Sequence, residues 1–261
     1  MDHSADIIRA AHDMADAAGR AILPLFRTGI DADNKRPADF DPVTQADRDA
    51  ERAMRDVLAR LRPDDAIFGE EYGHTPGTSG LTWILDPIDG TRAFLCGAPS
   101  WGVLIGLRDD QGMIYGVIDQ PYMRERFQGG LGVARLTHPG GVRDLAVRRG
   151  VDLSHATLMT TFPEIGTPAE AAAFRRVADQ VRLTRYGMDC YAYALLALGQ
   201  VDLVIEAGLQ SYDIAAPIAV IQAAGGIVTN WQGGPALDGG QVIAAATPEL
   251  HQAAMALLNA D

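Results

Sequence analysis

Apolar residues first recur at a helical spacing along the chain and then gather into short runs. The helical spacing predicts one amphipathic helix from Ile7 to near Arg27–Gly29 and a second from Ala50 to Leu61, which Pro63 ends. The short runs that follow are bounded by Gly and Pro, which is typical of strands in a largely antiparallel sheet. These predicted strands are Ala66–Phe68, Leu81–Leu85, Gly102–Leu107, Ile114–Ile118 and a weaker run at Ala146–Arg148.

After about residue 150, strand-like and helix-like segments alternate, which favours an α/β second half. The soft, glycine-containing stretch 140–155 is the candidate boundary, so we predict an N-terminal α+β half (1–145) and a C-terminal α/β half (146–261) that pack as effectively one unit. The predicted strands are Thr157–Thr161, Leu183–Tyr186, Val201–Ile205, Ile227–Asn230 and Val242–Ala246, and the predicted helices are Ala169–Val181, Cys190–Leu198, Ile214–Ala224 and Pro248–Leu258.

Composition and charge narrow the possible partners of this 261-residue chain. Hydrophobic residues make up 48% and charged residues 21%, which is enough apolar material for a core. The net charge of −12 argues against nucleic acid and anionic membranes as partners. The chain carries neither an apolar run of membrane-span length nor a visible secretory segment, and its two Cys cannot build a disulfide framework, so we expect a cytoplasmic protein.

The segment Trp83–Thr91 carries the strongest chemical signal. A strand-like run delivers Asp86, Pro87 restricts the backbone, and Gly90 permits an unusual conformation, so the carboxylates of Asp86 and Asp89 can face one point. Adjacent carboxylates repel unless a cation lies between them, and hard oxygen ligands suit Mg²⁺, Mn²⁺ or Ca²⁺. Amides after Gly90 would receive an anion if a helical turn begins there. The structural alternative is an ordinary D-G turn.

Three further acids have both a structural and a functional interpretation. Glu70, in a G-E-E tripeptide after a strand-like run, is either an exposed turn residue or a ligand. Asp47 forms a predicted capping box with Thr44, which is compatible with Asp47 orienting a hydroxyl group or a water molecule. Asp213 lies at the start of a predicted helix, either as its N-cap or as a metal ligand from the second half.

Together these acids predict a multinuclear metal site. Four or five clustered carboxylates need two or three divalent cations, and such a site can then bind a further dianion. Metal pairs about 3.5–4 Å apart activate water and stabilise a leaving oxygen in phosphoryl transfer, so the implied reaction is hydrolysis of a phosphate monoester. A non-catalytic acidic metal-binding or regulatory protein is the alternative, and the presence of both Thr91 and Asp47 speaks against it.

In chain order, the segments D-x-x-T-x-x-D (Asp41–Asp47), G-E-E, W-x-x-D-P-x-D-G-T and aromatic-Asp (Tyr212-Asp213) resemble the motifs of the inositol monophosphatase family of Mg²⁺-dependent, lithium-sensitive phosphatases. The resemblance covers nearly the whole chain, and Tyr212 departs from it because many members have Trp there. It implies a layered αβαβα sandwich, a homodimer, and direct attack by water without a phosphoenzyme.

The resemblance also implies a ligand set. Glu70 and Asp86 would hold a first Mg²⁺ with the backbone carbonyl of Ile88. Asp86, Asp89 and Asp213 would hold a second, and a third, weaker ion would lie by Glu70. Mn²⁺ would be a possible substitute for Mg²⁺.

Catalytic and phosphate-binding roles follow from the same motifs. Thr91 and Asp47 would position and deprotonate the attacking water, and Glu70 is counted with them as catalytic. The amides of Gly90 and Thr91 would receive the phosphate. The pair Lys35-Arg36 precedes this motif region, either as a solvated loop or as an approach to the phosphate.

The alcohol end of the substrate should be bound by the second half. Asp189 falls where inositol phosphatases carry a small neutral stretch, and it precedes Glu206 by 17 residues, the offset between two alcohol-binding positions in that family. An added carboxylate there is unfavourable unless the ligand brings positive charge. The structural alternative is that Asp189 caps the helix after it.

Further segments resemble the histidinol-phosphatase branch of the family, and we therefore predict hydrolysis of L-histidinol phosphate, a step of histidine biosynthesis. Asp189 and Glu206 would bind its ammonium and imidazole groups in an order that the sequence leaves open. Inositol 1-phosphate or another small polyol or sugar phosphate is the alternative substrate. The resembling segments are Gly116–Pro121, Arg124–Phe127, Asp189–Tyr193 and Val201–Glu206.

Overall fold

The structure is a computed structural model, and it describes residues 3–29, 31–34 and 42–260. Asp41, Lys35 and Arg36, which the sequence analysis named, lie outside these ranges. No helix within them is long and apolar enough to span a bilayer.

Two helices at the start of the chain pack against each other. Helix α1 (His3–Ile22) and helix α2 (Gln45–Leu61) bury small and flexible side chains, among them Ala11, Met14 and Met54. Thr44 and Asp47 form the predicted capping box of α2. Between these helices lies a two-stranded antiparallel pair, β1 (Asp33–Asn34) and β2 (Pro42–Val43).

The first half of the chain forms an eight-stranded sheet in the order β10-β9-β8-β7-β6-β5-β3-β4. All neighbouring strands are antiparallel except β3 and β5, so the prediction of a largely antiparallel sheet is confirmed. A short helix, α3 (Thr91–Leu95), connects β5 to β6. The strands are β3 (Ala66–Gly69), β4 (Gly73–Thr75), β5 (Thr82–Asp89), β6 (Gly102–Arg108), β7 (Met113–Gln120), β8 (Glu125–Gly130), β9 (Val133–His138) and β10 (Gly141–Asp144).

The second half forms a five-stranded mixed sheet in the order β12-β11-β13-β15-β14. Its strands are β11 (Thr157–Thr160), β12 (Leu183–Tyr186), β13 (Leu203–Leu209), β14 (Ile227–Asn230) and β15 (Gly240–Ala245). The helices around it are α4 (Pro168–Ala178), α5 (Asp189–Ala197), α6 (Ser211–Ala223) and α7 (Pro248–Leu258), and a 3₁₀ turn spans Leu153–His155. The alternation predicted for this half is confirmed.

Three hydrophobic clusters define the layers. The first joins α1 and α2 to one face of the large sheet. The second places α5 and α6 between the two sheets. The third joins α4 and α7 to the outer face of the small sheet. The layers therefore run helix, sheet, helix, sheet, helix, which confirms the predicted αβαβα sandwich.

A row of glycines lets α6 lie unusually close to the large sheet. Gly106, Gly116 and Gly129 are cross-strand neighbours on β6, β7 and β8. A Cβ atom at Gly116 would lie 2.5 Å from the carbonyl oxygen of Ala216, and one at Gly129 would lie 2.5 Å from the Cα of Val220. Since α6 begins two residues before Asp213, this close packing brings Asp213 to the large sheet.

One predicted strand is wrong. Ala146–Arg148 is an irregular segment, in which the Val147 amide donates to the carbonyl of Ala224 and Arg148 forms an ion pair with buried Asp202. The apolar residues of this segment cover the end of α6, so their alternation does not indicate a strand.

Candidate active site

A β-bulge in β5 brings two acidic side chains to the same side of the sheet. Residues three positions apart on a regular strand point to opposite faces. Here Asp86 pairs with Leu104 and Asp89 pairs with Gly102, so three steps on β5 face two steps on β6. The extra residue reverses the alternation, and both carboxylates reach one point. The sequence predicted this convergence at a tight turn, whereas the structure achieves it inside the strand.

Asp213 joins this pair from the start of α6. One carboxylate oxygen from each of Asp86, Asp89 and Asp213 lies within 4.8 Å of the others. Asp213 is the third residue of α6, and its Oδ2 accepts a hydrogen bond from the amide of Gln210 at 2.7 Å. Gln210 is therefore the N-cap residue, and the interpretation of Asp213 as N-cap is wrong. The ring centres of the neighbouring Tyr212 and of Phe68 lie 6.3 Å apart, so the two aromatic side chains pack together.

The cluster is negatively charged and largely shielded from water. Burial, and then the neighbouring carboxylates, raise the pKa of Asp86 well above its ordinary value. Burial, and then Asp213 and Asp189, do the same to the pKa of Asp89. The buried Oδ1 of Asp86 has no hydrogen-bond partner among the residues that the structure describes. Hard oxygen donors at this spacing, one of them unpartnered, fit divalent cations such as Mg²⁺ or Mn²⁺.

Glu70 reaches Asp86 from the turn after β3. Its carboxyl group lies within hydrogen-bonding range of Asp86, and its amide donates to the carbonyl of Leu85 at 3.1 Å. The fully buried Glu51 of α2 holds this turn by accepting from the amides of Glu71 at 2.6 Å and Tyr72 at 3.2 Å. Sequence reasoning missed Glu51, although it lies one helical turn after Asp47 and so on the same face of α2.

Thr91 and Asp47 meet beside the cluster. The Thr91 hydroxyl lies 3.5 Å from Oδ1 of Asp47 and 3.2 Å from the carbonyl oxygen of Ile88. Oδ2 of Asp47 accepts from the Thr44 amide at 2.8 Å and from the Thr44 hydroxyl at 2.5 Å. The capping box therefore orients the carboxylate while Oδ1 faces Thr91. The structural and functional interpretations of Asp47 are compatible in this geometry.

Gly90 has two reasons to be glycine. Its φ of +85° lies in the left-handed region, and a Cβ atom there would lie 2.8 Å from Cγ of Asp189. Helix α3 begins at Thr91, so the helical turn expected after Gly90 is present. The amides of its first turn have no partner within the helix.

Asp189 lies beside Gly90 and accepts a hydrogen bond from buried Ser100 at 3.0 Å. Its φ of +46° is left-handed, a conformation that Asp tolerates better than most residues. The amide of Cys190 donates to Oδ2 of Asp89 at 2.6 Å, so the start of α5 is capped by Asp89. The interpretation of Asp189 as an N-cap is therefore wrong. Sequence reasoning missed Ser100, which lies far from Asp189 along the chain.

Glu206 lies on strand β13. It is held by hydroxyl and amide groups at the end of the neighbouring strand, β11. It accepts from the Thr160 hydroxyl at 3.0 Å, the Thr161 amide at 2.8 Å and the Thr161 hydroxyl at 2.9 Å. Burial raises the pKa of Glu206 to about 7, against the lowering effect of these hydrogen bonds. Glu206 and Asp189 line one cavity of about 220 Å³, whose other lining residues include Asp89, Asp213, Thr161, Phe162, Cys190 and Tyr193.

We call Asp86, Asp89 and Asp213 the metal-type cluster. The cavity is thus bordered by two of its members, Asp89 and Asp213, and by both acids predicted to bind substrate. The sequence pattern of the inositol monophosphatase family matches residues 3–260. The chain belongs to the inositol monophosphatase family.

Individual members of the family resemble the chain over nearly its full length. It is 42% identical over 253 residues to the "Bifunctional phosphatase IMPL2, chloroplastic" of Arabidopsis thaliana, an alignment covering 93% of this chain and 72% of that protein. It is 35% identical over 255 residues to a histidinol-phosphatase of Mycobacterium tuberculosis, covering 96% of each. A solved structure of an inositol monophosphatase from Zymomonas mobilis has a TM-score of 0.85 and 41% identity, covering 98% of each chain.

Membership in the inositol monophosphatase family makes the protein a phosphatase that acts on small phosphate esters. The family is metal-dependent, and the acidic cluster of this chain is of the kind that such a phosphatase needs. The relatives include both histidinol-phosphatases and inositol phosphatases, so membership alone leaves the alcohol of the substrate open.

Proposed function

We propose that the protein is a Mg²⁺-dependent phosphatase that hydrolyses L-histidinol phosphate to L-histidinol and phosphate. The observation that carries this proposal is the pair of acids, Asp189 and Glu206, in a cavity that already borders Asp89 and Asp213. The sequence relationship to a histidinol-phosphatase is consistent with it.

The ligand set is the one that the family resemblance implies, and the cluster of Asp86, Asp89 and Asp213 supports it. Glu70, Asp86 and the carbonyl of Ile88 would hold one Mg²⁺, and Asp86, Asp89 and Asp213 a second. A third, weaker ion would lie by Glu70. When bound, the ions would lower the pKa of a water molecule and stabilise the negative charge that develops on the leaving oxygen.

Thr91 and Asp47 act on the attacking water. The Thr91 hydroxyl accepts a hydrogen bond from the water and donates its own proton toward Oδ1 of Asp47, 3.5 Å away. Asp47 is oriented for this by Thr44 and takes up the proton as the water's oxygen bonds to phosphorus. The amides of Gly90 and Thr91 receive the phosphate oxygens at the start of α3. The phosphorus–oxygen bond to the alcohol breaks, and the alkoxide takes a proton from solvent.

Charge balance favours a cationic alcohol over a neutral one. Four acids border a cavity of about 220 Å³, and Glu206 and Asp189 are not members of the cluster that the metal ions would neutralise. A neutral polyol brings no charge to balance the Asp189 carboxylate, whereas an amino-alcohol phosphate brings its own cation. Inositol 1-phosphate is kept as the second candidate because of the likeness to the Zymomonas mobilis inositol monophosphatase.

Side-by-side turnover of L-histidinol phosphate and inositol 1-phosphate with Mg²⁺ tests the proposal. We expect a higher kcat/KM for histidinol phosphate. Asp189→Asn should lower that value by about 10- to 100-fold, the usual range for one charged hydrogen bond. Asp179→Asn, on an exposed position, is the control and should leave it unchanged.

Three outcomes would contradict the proposal. Preference for inositol 1-phosphate would exclude histidinol phosphate as the substrate, and phosphate release that survives EDTA would exclude a metal mechanism. Binding of Mg²⁺ without any phosphate release would favour the alternative of a metal-binding regulatory protein. A homodimer and lithium inhibition remain predictions of the family resemblance, and a cytoplasmic location remains a prediction from composition and sequence pattern. Light scattering would test for the homodimer.

A further inference from the structure

We propose that a second cavity, separate from the active site, binds a small organic anion, a compound that carries a phosphate or carboxylate group on an apolar body. This cavity, the α1 cavity, has a volume of about 460 Å³ and lies between one face of α1 and the strands β7 to β9. The residues that line it all differ from those that line the active-site cavity of about 220 Å³. Its proposed ligand therefore does not depend on which phosphate ester the active site hydrolyses.

Helix α1 supplies one wall of the α1 cavity from a single face. The residues that it contributes follow one another at intervals of three or four, and they include His12, Asp16, Arg20 and Leu23. Gly19 brings the helix close to the opposite wall, because a Cβ atom there would lie 3.1 Å from Cβ of Pro121. The cavity thus lies beside a tight contact between the helix and the turn that follows β7.

Arg126 reaches the α1 cavity from β8 with its guanidinium group already oriented. Its Nε donates to Oδ1 of buried Asp119 at 2.6 Å, and its Nη2 donates to Oδ1 of Asp16 at 2.7 Å. Its Nη1 makes no hydrogen bond to any residue that the structure describes, although the Arg126 side chain is only 18% exposed. A guanidinium group that is held in place loses little conformational entropy when it binds a further acceptor.

Two further arginines line the same cavity. Neither Arg20 of α1 nor Arg124 of the turn before β8 forms an ion pair or a hydrogen bond within residues 3–29, 31–34 and 42–260. Three arginines against two aspartates leave this cavity with a net positive charge. The chain as a whole has a net charge of −12, so this local excess of positive charge does not follow from its composition.

The backbone of Arg124 indicates a role for its side chain. Its φ of +59° is in the left-handed region, which Gly and Asn adopt more easily than arginine. If only the shape of the turn mattered, glycine would be the favourable residue there. An unfavourable backbone conformation at a residue that lines a cavity is typical of a binding site.

The polar and apolar walls of the α1 cavity together fit one class of ligand. The planar guanidinium group forms paired hydrogen bonds with carboxylate and phosphate oxygens, and these bonds are stronger than those between neutral groups. Ala15, Leu23 and Pro121 supply apolar surface in the same cavity, and Leu23 is 39% exposed. An anionic group on an apolar body matches both surfaces, whereas a cation would be repelled by Arg20 and Arg124.

Binding of two model anions to the protein in EDTA tests this proposal. Phenyl phosphate and benzoate carry the two kinds of oxyanion on the same apolar ring, and phenol is their neutral analogue. Without cations the acidic active site repels anions, so titration calorimetry in EDTA measures binding elsewhere on the protein. We expect both anions to bind with a Kd of about 1 mM or tighter, and to bind more weakly as NaCl is raised from about 20 to 200 mM.

Two substitutions remove the unpaired charges one at a time. Arg20→Gln and Arg124→Gly should each weaken anion binding by about tenfold, the usual effect of losing one charged hydrogen bond. Arg135→Gln is the matched control, because Arg135 is an exposed arginine of β9 outside the cavity lining, and it should leave Kd unchanged. Arg124→Gly should unfold at the same temperature as wild type or a higher one, since glycine relieves the left-handed φ. Weaker binding by this variant would then not result from misfolding.

Four results would overturn the proposal: no binding of either anion, binding of phenol as tight as that of the anions, no weakening by either arginine variant, or equal weakening by Arg135→Gln. Binding of only one anion supports the proposal and identifies the oxyanion. Both arginine variants should keep the wild-type kcat/KM for histidinol phosphate with Mg²⁺, because neither residue lines the active-site cavity. Benzoate has no ester bond, so its binding is independent of the proposed phosphatase activity.

Discussion

The two groups of acids in the active site differ in how the chain compensates their charge. In the metal-type cluster, Asp86, Asp89 and Asp213 crowd within 4.8 Å and Asp86 keeps an unpartnered oxygen among the described residues. In the substrate cavity, Glu206 accepts three hydrogen bonds from neutral groups. Neutral donors can stabilise an isolated carboxylate, but only cations can balance three adjacent ones. The cluster therefore needs cations to balance its charge, whereas the carboxylate of Glu206 is stabilised by neutral donors of the protein itself.

The largest expected effect is that of Asp86→Asn. Asp86 is proposed to be a ligand shared by two metal ions, so its loss should remove several kcal/mol of transition-state stabilisation and lower phosphate release by about a thousandfold or more. In EDTA the same variant should unfold at a higher urea concentration than the wild type, because one of the repelling carboxylates is gone. Phosphate-release assays measure the loss of activity, and urea unfolding in EDTA measures the gain in stability.

Asp119→Asn is the matched control for that substitution. Asp119 is also buried in the large sheet, but it accepts a hydrogen bond from Arg126 at 2.6 Å. Neutralising it should lower the free energy of unfolding, since Arg126 loses its buried partner and keeps the ion pair with the exposed carboxylate of Asp16, 2.7 Å away. If both variants lose stability equally in EDTA, the cluster is not electrostatically strained and the comparison fails.

The pH dependence of the stability of Glu206→Gln tests how well the cavity compensates the charge of Glu206. The pKa of Glu206 is raised from 4.5 to about 7, so the folded protein binds this proton more tightly than the unfolded chain does. The stabilisation is complete below about pH 4.5 and is lost as pH rises through 7. Because Gln resembles the protonated acid at every pH, the stability of the variant relative to wild type should rise by up to about 3 kcal/mol between pH 4.5 and 8.

Urea unfolding in EDTA at several pH values measures this difference. Glu164→Gln, on an exposed loop, is the control and should give a difference that is flat across the same range. A flat profile for Glu206→Gln as well would mean that the threonine donors compensate the charge completely.

Gly90→Ala tests the contact between the phosphate loop, which is Gly90 and Thr91, and the substrate cavity. The left-handed φ alone should cost about 1–2 kcal/mol, and the contact with Asp189 adds to it. Gly80 has nearly the same φ, +86°, with no atom within 4 Å of an added Cβ, so Gly80→Ala isolates the backbone term. We expect Gly90→Ala alone to raise KM for histidinol phosphate. If Gly90→Ala and Gly80→Ala had the same KM for histidinol phosphate, the contact between Asp189 and the phosphate loop would have no effect on substrate binding.

The smallest effect is expected from Thr44→Ala. Loss of the helix cap should lower stability by about 1 kcal/mol, as should Thr167→Ala at the equivalent cap of α4. Only Thr44→Ala should also reduce kcat, because Thr44 orients the carboxylate of Asp47 that faces Thr91. A normal kcat would show that Asp47 keeps its orientation without the capping box.

Much of the fold and the cluster could be predicted because the signals are local. Helix α7 and strands β12 and β14 have the predicted bounds, since a hydrophobic period and flanking Gly or Pro act within a few residues. Strands β8 to β10 were missed because they are rich in Gly and Arg and show no clear apolar alternation. The division at residue 145 stays a prediction.

Some features of the site are likewise local in the sequence, whereas others arise from contacts between distant segments. The sequence by itself determined which acids, glycines and capping residues are present and in which motifs they lie, because these are properties of short segments. Only the tertiary structure decided that the bulge in β5 turns Asp86 and Asp89 to one side, that the glycine row seats α6, and that Ser100 and Gly90 meet Asp189. Those contacts join strands and helices far apart in the chain, and pairing and packing across such distances leave no pattern in any single segment.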